Sequence, residues 1–300
     1  MGAQITPGDA AVSELHASVE QAPSHHDPRV DILGVHVSVT NPDDALWRIN
    51  DWILRRDRQY ICVSDVNALL HASQDAELRD FYNNSGLTLP DGMPLVWAGK
   101  RAGFTDIERV CGPDLLPKIL HASAHLGWRN YFLGGAEGVA QRLADRMTER
   151  FPGLPVAGVE CPPFRELSQA EKDDLIVRVN AARADVVWVG LGAPKQERWM
   201  AEFRPRLDAP VLIGVGAAFA FHVGDVKRAP RALQRSGLEW AYRVSQEPGR
   251  LARRYAVAVP KFITGVVKNP PRAVTREQRA WSFRPDAQHA RSTAVRRHRC

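Results

Sequence analysis

Residues 185–199 read DVVWVGLGAPKQERW. After Asp185, Val186 to Val189 is β-branched and aromatic with no polar interruption, the pattern of a strand buried on both faces. Gly190-Leu191-Gly192-Ala193-Pro194 is a turn of residues that tolerate tight backbone. Pro194 suits the first turn of a helix, which Lys195 to Met200 continues. A strand, a Gly-containing loop and a helix N-terminus together form an anion-binding arrangement, because backbone N–H groups converge there. Lys195 and Gln196 sit where they could face a bound ligand. On geometry alone, an ordinary βα turn accounts for the stretch equally well.

The same rhythm extends on both sides. Asn130-Tyr131-Phe132-Leu133-Gly134-Gly135 is a strand and Gly turn, with Ala136 to Phe151 as its helix. Pro155 to Val159 is a short strand. Ser168 with Glu171 three residues on makes a capping box for a helix to Ala182. Pro210 to Gly216 is a last strand. Repeated β–α from Asn130 onward predicts an α/β fold, a parallel sheet flanked by helices on both faces. Upstream, Ile32, Val35, Val37 and Val39 are strand-like around Gly34, and Tyr60 to Val63 is a strand that Ser64-Asp65-Val66-Asn67 closes. Leu87-Thr88-Leu89-Pro90 ends in Asp91-Gly92. A carboxylate at the C-terminal end of a strand is where α/β folds place reactive groups. Asp91 reads equally as a helix N-cap.

The chain of 300 residues divides by charge. Residues 226–300 hold 18 Lys/Arg and 4 Asp/Glu, whereas residues 1–225 hold 22 and 30. Such asymmetry calls for an acidic partner at the C-terminal end: nucleic acid, an anionic membrane surface or a phosphorylated substrate. Leu233, Leu238, Trp240, Ala241 and Val244 interleave with Arg235, Arg243, Arg250, Arg253 and Arg254. This describes helices that can lie on an anionic interface, or core-packed helices with a charged outer face. The expected organisation is a disordered leader at 1–29, an α/β catalytic domain at 30–225, a basic helical membrane or active-site appendage at 226–268 and a disordered basic tail at 269–300.

Cys62, Cys111, Cys161 and Cys300 are scattered, with no CxxC and no His at ligand spacing, so no metal is expected. No secretory leader is legible at the N-terminus. Tyr255 to Val267, broken by Pro260 and Lys261, is too short to span a bilayer. Gly214-Val215-Gly216 lacks the third glycine and the following acidic residue of a dinucleotide fingerprint, so no cofactor is implied.

Pro90-Asp91-Gly92, Glu108-Arg109-Val110 with Gly112, Leu133-Gly134, Val189 to Glu197, Gly214-Val215-Gly216, Arg228-Ala229-Pro230, and Gly237-Leu238-Glu239-Trp240 with Tyr242-Arg243, Glu247-Pro248 and Arg250 occur in this order. Together they resemble the WecG/TagA/CpsF family of bacterial glycosyltransferases (glycosyltransferase family 26). The resemblance implies a Rossmann-like α/β unit with a C-terminal appendage that helps bind the membrane. It implies an inverting transfer from a UDP-sugar to a polyprenyl-diphosphate-linked saccharide, feeding cell-envelope or exopolysaccharide synthesis. The place would be the cytoplasmic face of the bacterial inner membrane, peripherally bound. A homo-oligomer fits as well.

Such a transfer needs a base for the acceptor hydroxyl, and the resemblance gives that role to Asp91. It needs charge stabilisation on departing UDP, which Gly192 to Lys195 backbone N–H groups and arginines can supply. Asn67, Gln196, Gly214 and Gly216 are the matching substrate contacts. Arg109, Arg228, Arg243, Arg250 and Arg253 are candidates for diphosphate or membrane contact. Two departures stand out. In the family's short T-x-N segment, whose Asn is Asn67 here, the Thr is replaced by Asp65, a second carboxylate that could raise the pKa of Asp91 or itself be the base. Where the family commonly has G-x-F-D, this chain has Ala217-Ala218-Phe219-Ala220, which opens the donor to a hexose such as glucose as well as an N-acetylmannosamine type. The alternative is a basic nucleic-acid- or membrane-binding α/β protein without transferase activity; no nucleic-acid recognition motif supports it.

Overall fold

A computed structural model describes residues 27–235 and 239–275. The chain opens with an antiparallel hairpin, β1 (Arg29–Ile32) and β2 (Val35–Ser38), turning at Leu33-Gly34 with positive φ at both (57° and 87°). Helix α1 (Pro42–Arg55) is capped by Asn41, whose side chain accepts from the N–H groups of Asp43 and Asp44. Then come β3 (Gln59–Ser64), α2 (Val66–Gln74), α3 (Ala76–Asn83), β4 (Leu87–Pro90) and α4 (Met93–Arg101). The middle runs through α5 (Gly112–Leu126), β5 (Asn130–Gly134), α6 (Val139–Arg150), β6 (Val156–Glu160) and α7 (Gln169–Ala181). The Ser168–Glu171 capping box forms at the start of α7. Next are β7 (Val186–Gly190), α8 (Lys195–Phe203), a 3-10 turn at Arg204–Arg206, β8 (Val211–Gly214) and α9 (Ala218–Val223). The chain closes on α10 (Arg231–Arg235), α11 (Glu239–Gln246), α12 (Pro248–Lys268) and β9 (Arg272–Ala273).

Six strands form one parallel sheet in the order β4-β3-β8-β7-β5-β6. The expected α/β class is therefore what the chain adopts. Alternation along β7 shows why both faces are covered. Val187 and Val189 join the cluster that contains Trp199, Met200 and Phe203 of α8. Val186 and Trp188 join the opposite cluster, with Ile49, Leu116 and Leu143 from α1, α5 and α6. The Trp188 indole donates to Asn130 Oδ1 at 2.9 Å, so the one polar atom of this buried ring is satisfied.

Gly190 closes β7 with no room beside it. A Cβ there would stand 2.9 Å from Phe219 Cδ2, in a fully buried ring. Gly190→Ala is expected to destabilise the fold by about 1–3 kcal/mol through overpacking. Urea unfolding checks this, and an unchanged midpoint would refute the packing account.

β3 and β8 are neighbours, but the chain leaves them in opposite directions. After β3 it crosses to the face where Leu69 and Leu70 of α2 pack. After β8 it crosses to the face where Ala218 and Phe219 of α9 pack. Strands that part this way leave a crevice at their carboxyl ends, the usual ligand position in open α/β sheets.

The C-terminal segment folds over that crevice. Helix α12 packs on α2, burying Leu251, Ala258 and Phe262. It continues through Pro260, and no helix among the described residues is long and apolar enough to cross a membrane. Residues 269–275 belong to the tail in the sequence reading, but part of them is strand. β9 pairs antiparallel with β1, setting Ala273 opposite Val30 and Arg272 opposite Asp31, in the sheet β2-β1-β9. Pairing with the edge of β1, continued by Val274 N–H on Arg29 O, and burial of Pro271 hold this segment in place. The leader up to residue 26, Ser236-Gly237-Leu238 and residues 276–300 lie outside the described residues.

Candidate active site

The carboxyl ends of β3, β4, β7 and β8 and the overlying α11 and α12 enclose a cleft of about 1050 Å³. Asp65, Asn67, Asp91, Arg109, Gly192, Gln196, Gly216 and Arg243 all line it. These residues come from six separate stretches of the sequence and meet only because the fold brings the strand ends and the C-terminal segment together.

Asp91 is pinned by the ladder at the end of β4. Its N–H donates to Ser64 O at 2.9 Å, and the next loop returns with Val110 N–H on Pro90 O at 3.0 Å. The N-cap of α4 is Gly92, with no side-chain cap bond. The carboxylate is therefore not spent on capping and opens to the cleft, 27% exposed. The surrounding walls raise its pKa to about 7, chiefly by stripping water from the charged form. Arg109 opposes this shift, and the charges of Asp65 and Glu239 add to it.

Asp65 is differently placed. One oxygen accepts from Ala68 N–H at 2.7 Å as the N-cap of α2, and the other pairs with Arg254 Nη2 at 3.0 Å. Both oxygens are engaged.

Arg109 stands between Asp91 and the C-terminal segment. Its Nη2 lies 3.5 Å from Asp91 Oδ1 and donates to Glu239 Oε2 at 2.6 Å. The other oxygen of Glu239 is 3.5 Å from Arg228 Nε, and Arg228 Nη2 donates to Asp114 Oδ2 at 2.7 Å. Arg228 thus ties the C-terminal segment to α5, with its guanidinium committed to two carboxylates. Removing the Glu239 charge takes a negative group from Asp91 and frees Arg109 to move onto it. Both changes favour the carboxylate, so Glu239→Gln is expected to move the acid limb of kcat/KM to lower pH. A pH profile with an unshifted limb would contradict this coupling.

The loop after β7 forms another wall. Gly192 takes a positive φ of 76° with open space beside it. Gln196 is buried and holds the neighbouring loop: its Oε1 accepts from Gly216 N–H at 2.8 Å and its Nε2 donates to Glu197 Oε1 at 2.9 Å. Glu197 in turn accepts from Tyr82 OH at 3.2 Å, and burial raises its pKa. Gly214 sits underneath; a Cβ there would meet Met200 Cε at 2.8 Å and Gln196 Nε2 at 3.0 Å. Lys195 points elsewhere. It is exposed, with its ammonium 5.2 Å from the centre of the Phe164 ring, and it does not line the cleft. One helical step of about 100° separates it from Gln196, so the two cannot face the same way.

On the roof, Arg243 reaches into the cleft with its guanidinium 5.5 Å from the Phe221 ring centre. Its Nε is buried with no hydrogen-bond partner among the described residues. Arg253 is exposed and outside the cleft, and Arg254, one residue on, lines it instead. Helix phase is the reason. Leu251, Arg254, Tyr255, Ala258 and Phe262 follow one another at helical spacing on the inward face, and Arg253 is off that stripe. That spacing was the signal that could have selected Arg254. Arg250 lies in α12, but its side chain is outside the described part. No group of three His, Cys, Asp or Glu able to hold a metal ion occurs among the described residues. Cys62 and Cys111 are buried, and burial raises the pKa of each thiol.

With this geometry in view, residues 30–276 match the family described as the glycosyl transferase WecG/TagA/CpsF family. Two curated relatives carry the same name, N-acetylglucosaminyldiphosphoundecaprenol N-acetyl-beta-D-mannosaminyltransferase. The protein of Bacillus spizizenii is 28% identical over 205 residues, 68% of this chain and 77% of its own. That of Bacillus subtilis strain 168 is 27% identical over 191 residues, 64% of this chain and 72% of its own.

Proposed function

We propose, from the premise that the chain belongs to the WecG/TagA/CpsF glycosyl transferase family, that the cleft at the strand ends carries out the transfer. The protein is a glycosyltransferase of cell-surface polymer synthesis, using a UDP-sugar donor and a polyprenyl-diphosphate-linked saccharide acceptor. Asp91 is the base. Its carboxylate takes the proton of the acceptor hydroxyl as that oxygen bonds to the anomeric carbon. The bond from that carbon to the diphosphate oxygen breaks, and its electron pair leaves with UDP. Attack from the face opposite the leaving group inverts the anomeric centre.

The observation that carries this assignment is the placement of Asp91: pinned at the end of β4, free of capping and open to the cleft, where loss of water around the carboxylate raises its pKa to about 7. A base of that pKa is ionised often enough at neutral pH and still takes a proton effectively. Asp65, engaged by Ala68 and Arg254, positions the roof. Gly192 and the loop held by Gln196 cradle the donor. Arg243 stabilises charge on a diphosphate. Arg109, Arg228 and Arg254 face carboxylates of the same chain, which weighs against a nucleic-acid role. The protein works peripherally at the cytoplasmic face of the bacterial inner membrane, where basic and apolar residues of α11 and α12 meet anionic lipid.

The test is UDP release in a mixture of a UDP-sugar and a GlcNAc-diphosphate-prenol acceptor. UDP-N-acetylmannosamine and UDP-glucose should be run side by side, since the relatives are named for N-acetylmannosaminyl transfer and this chain has Ala220 where the family commonly has Asp. Release with either donor, dependent on acceptor, is expected. No release with any UDP-sugar would refute the reading.

A further inference from the structure

The cleft has two chemically distinct ends. Around Asp65, Asp91, Arg109, Arg243 and Arg254 it is charged. From there one arm runs outward between α4 and α12, and its walls are apolar. Met93, Pro94 and Trp97 form one side, Val259, Ile263 and Val267 the other. Trp97 and Ile263 are each 56% exposed and Val267 is 74% exposed. Val259, Ile263 and Val267 recur at every fourth residue, so they make one stripe along α12. That stripe lies beside the one formed by Ala258 and Phe262, which is buried in the core. The core has therefore already claimed one face of α12, and a second apolar face remains turned to the arm. Contiguous exposed apolar surface of this kind marks a binding surface.

We infer that this arm, walled by Met93 and Trp97 of α4 and by Val259, Ile263 and Val267 of α12, is the track of the acceptor's polyprenyl chain. The inference rests on the proposed function for its ligand and adds where the lipid lies. The polarity of the cleft matches the polarity of such a molecule along its length. A charged diphosphate belongs beside Arg243 and Arg254, and an isoprenoid chain belongs in an apolar channel that continues outward from there. A UDP-sugar has no part that gains from such an arm. Arg101 of α4 also lines the cleft, a cation suited to an anionic headgroup beside the apolar walls. One wall belongs to α4, far from the basic C-terminal segment in sequence, so lipid contact is shared between both parts of the chain.

The experiment uses the full chain and two acceptors that share the same sugar diphosphate, one with a long prenyl tail and one with a short tail. The quantity read is the ratio of kcat/KM for the long tail to that for the short tail. Trp97→Gln and Ile263→Gln, one from each wall, are each expected to lower this ratio about tenfold or more, the loss of one well-buried apolar side chain. Both residues are exposed, so folding is not at stake. A ratio unchanged in both variants overturns the inference. So does an equal fall for both tails with weaker binding to anionic vesicles, which would make the surface a bilayer contact only. A variant that shifts sedimentation from dimer to monomer with the ratio unchanged would give the surface to a second copy. Wild type that transfers to neither acceptor would instead refute the proposed function, and this inference with it.

Discussion

Asp91→Asn is expected to lower kcat/KM by on the order of 10²–10⁴-fold, the usual contribution of a positioned base. The amide keeps the shape of the carboxylate but cannot take the acceptor's proton. The wild-type profile should rise through pH 7, because the base must be ionised and its pKa lies at about 7. The variant should lose that limb. Stability moves the other way, and the sign is decided by the pKa. Folding raises the pKa of Asp91 from 3.8 to about 7, so its ionisation opposes folding. The penalty is absent below the unfolded value and is complete once pH exceeds the folded value. Asn carries no such penalty. At pH 8 the variant should therefore melt at or above the wild-type temperature while being nearly inactive. Near-full activity in Asp91→Asn would reject Asp91 as the base and turn attention to Asp65; a large fall in melting temperature would make the loss structural.

Arg243→Ala carries the second large effect, a fall in kcat/KM of roughly 10²–10³-fold, comparable with deleting one preorganised donor to developing charge. The guanidinium lies over Phe221 and lines the cleft, with a buried Nε that has no hydrogen-bond partner among the described residues. A buried donor held without a partner is costly, and a diphosphate oxygen would relieve that cost. The neighbouring cations are already paired: Arg254 with Asp65, Arg109 with Glu239, Arg228 with Asp114. Arg243→Lys should recover only part of the loss, since an ammonium cannot make the two-pronged contact of a guanidinium. Steady-state kinetics with donor and acceptor varied separately will show which diphosphate it serves. Wild-type rates in Arg243→Ala would remove it from the site.

The α/β class was legible from local pattern. Val186 to Val189 had to be a buried strand, and the Gly190 to Pro194 turn had to lead into a helix. The same held for Asn130 to Gly134 and for the capping box at Ser168. Asp91 was legible as a candidate because a carboxylate closed an apolar run before Gly92. Its role stayed open between base and cap, and the structure removes the second reading: Gly92 holds the cap position. Arg254 was masked by Arg253 beside it, though the spacing from Leu251 to Phe262 holds the answer once the helix is known to run unbroken. The Arg109–Glu239 pair joins residues 130 apart in sequence, and no local pattern encodes a contact at that separation.

By itself, the sequence determined the elements of the parallel α/β core, their order and the family resemblance, because strand and helix periodicity, turn chemistry and ordered motifs act over a few residues at a time; β9, held by pairing across the chain, was not among them. Only the tertiary structure decided the strand order that sets β8 between β3 and β7, and hence the crevice where Asp65, Asp91 and Gly216 meet. It also decided which charges pair and which stay available. Ion pairing and desolvation depend on distances across the chain, and those exist only once the C-terminal segment lies over the sheet.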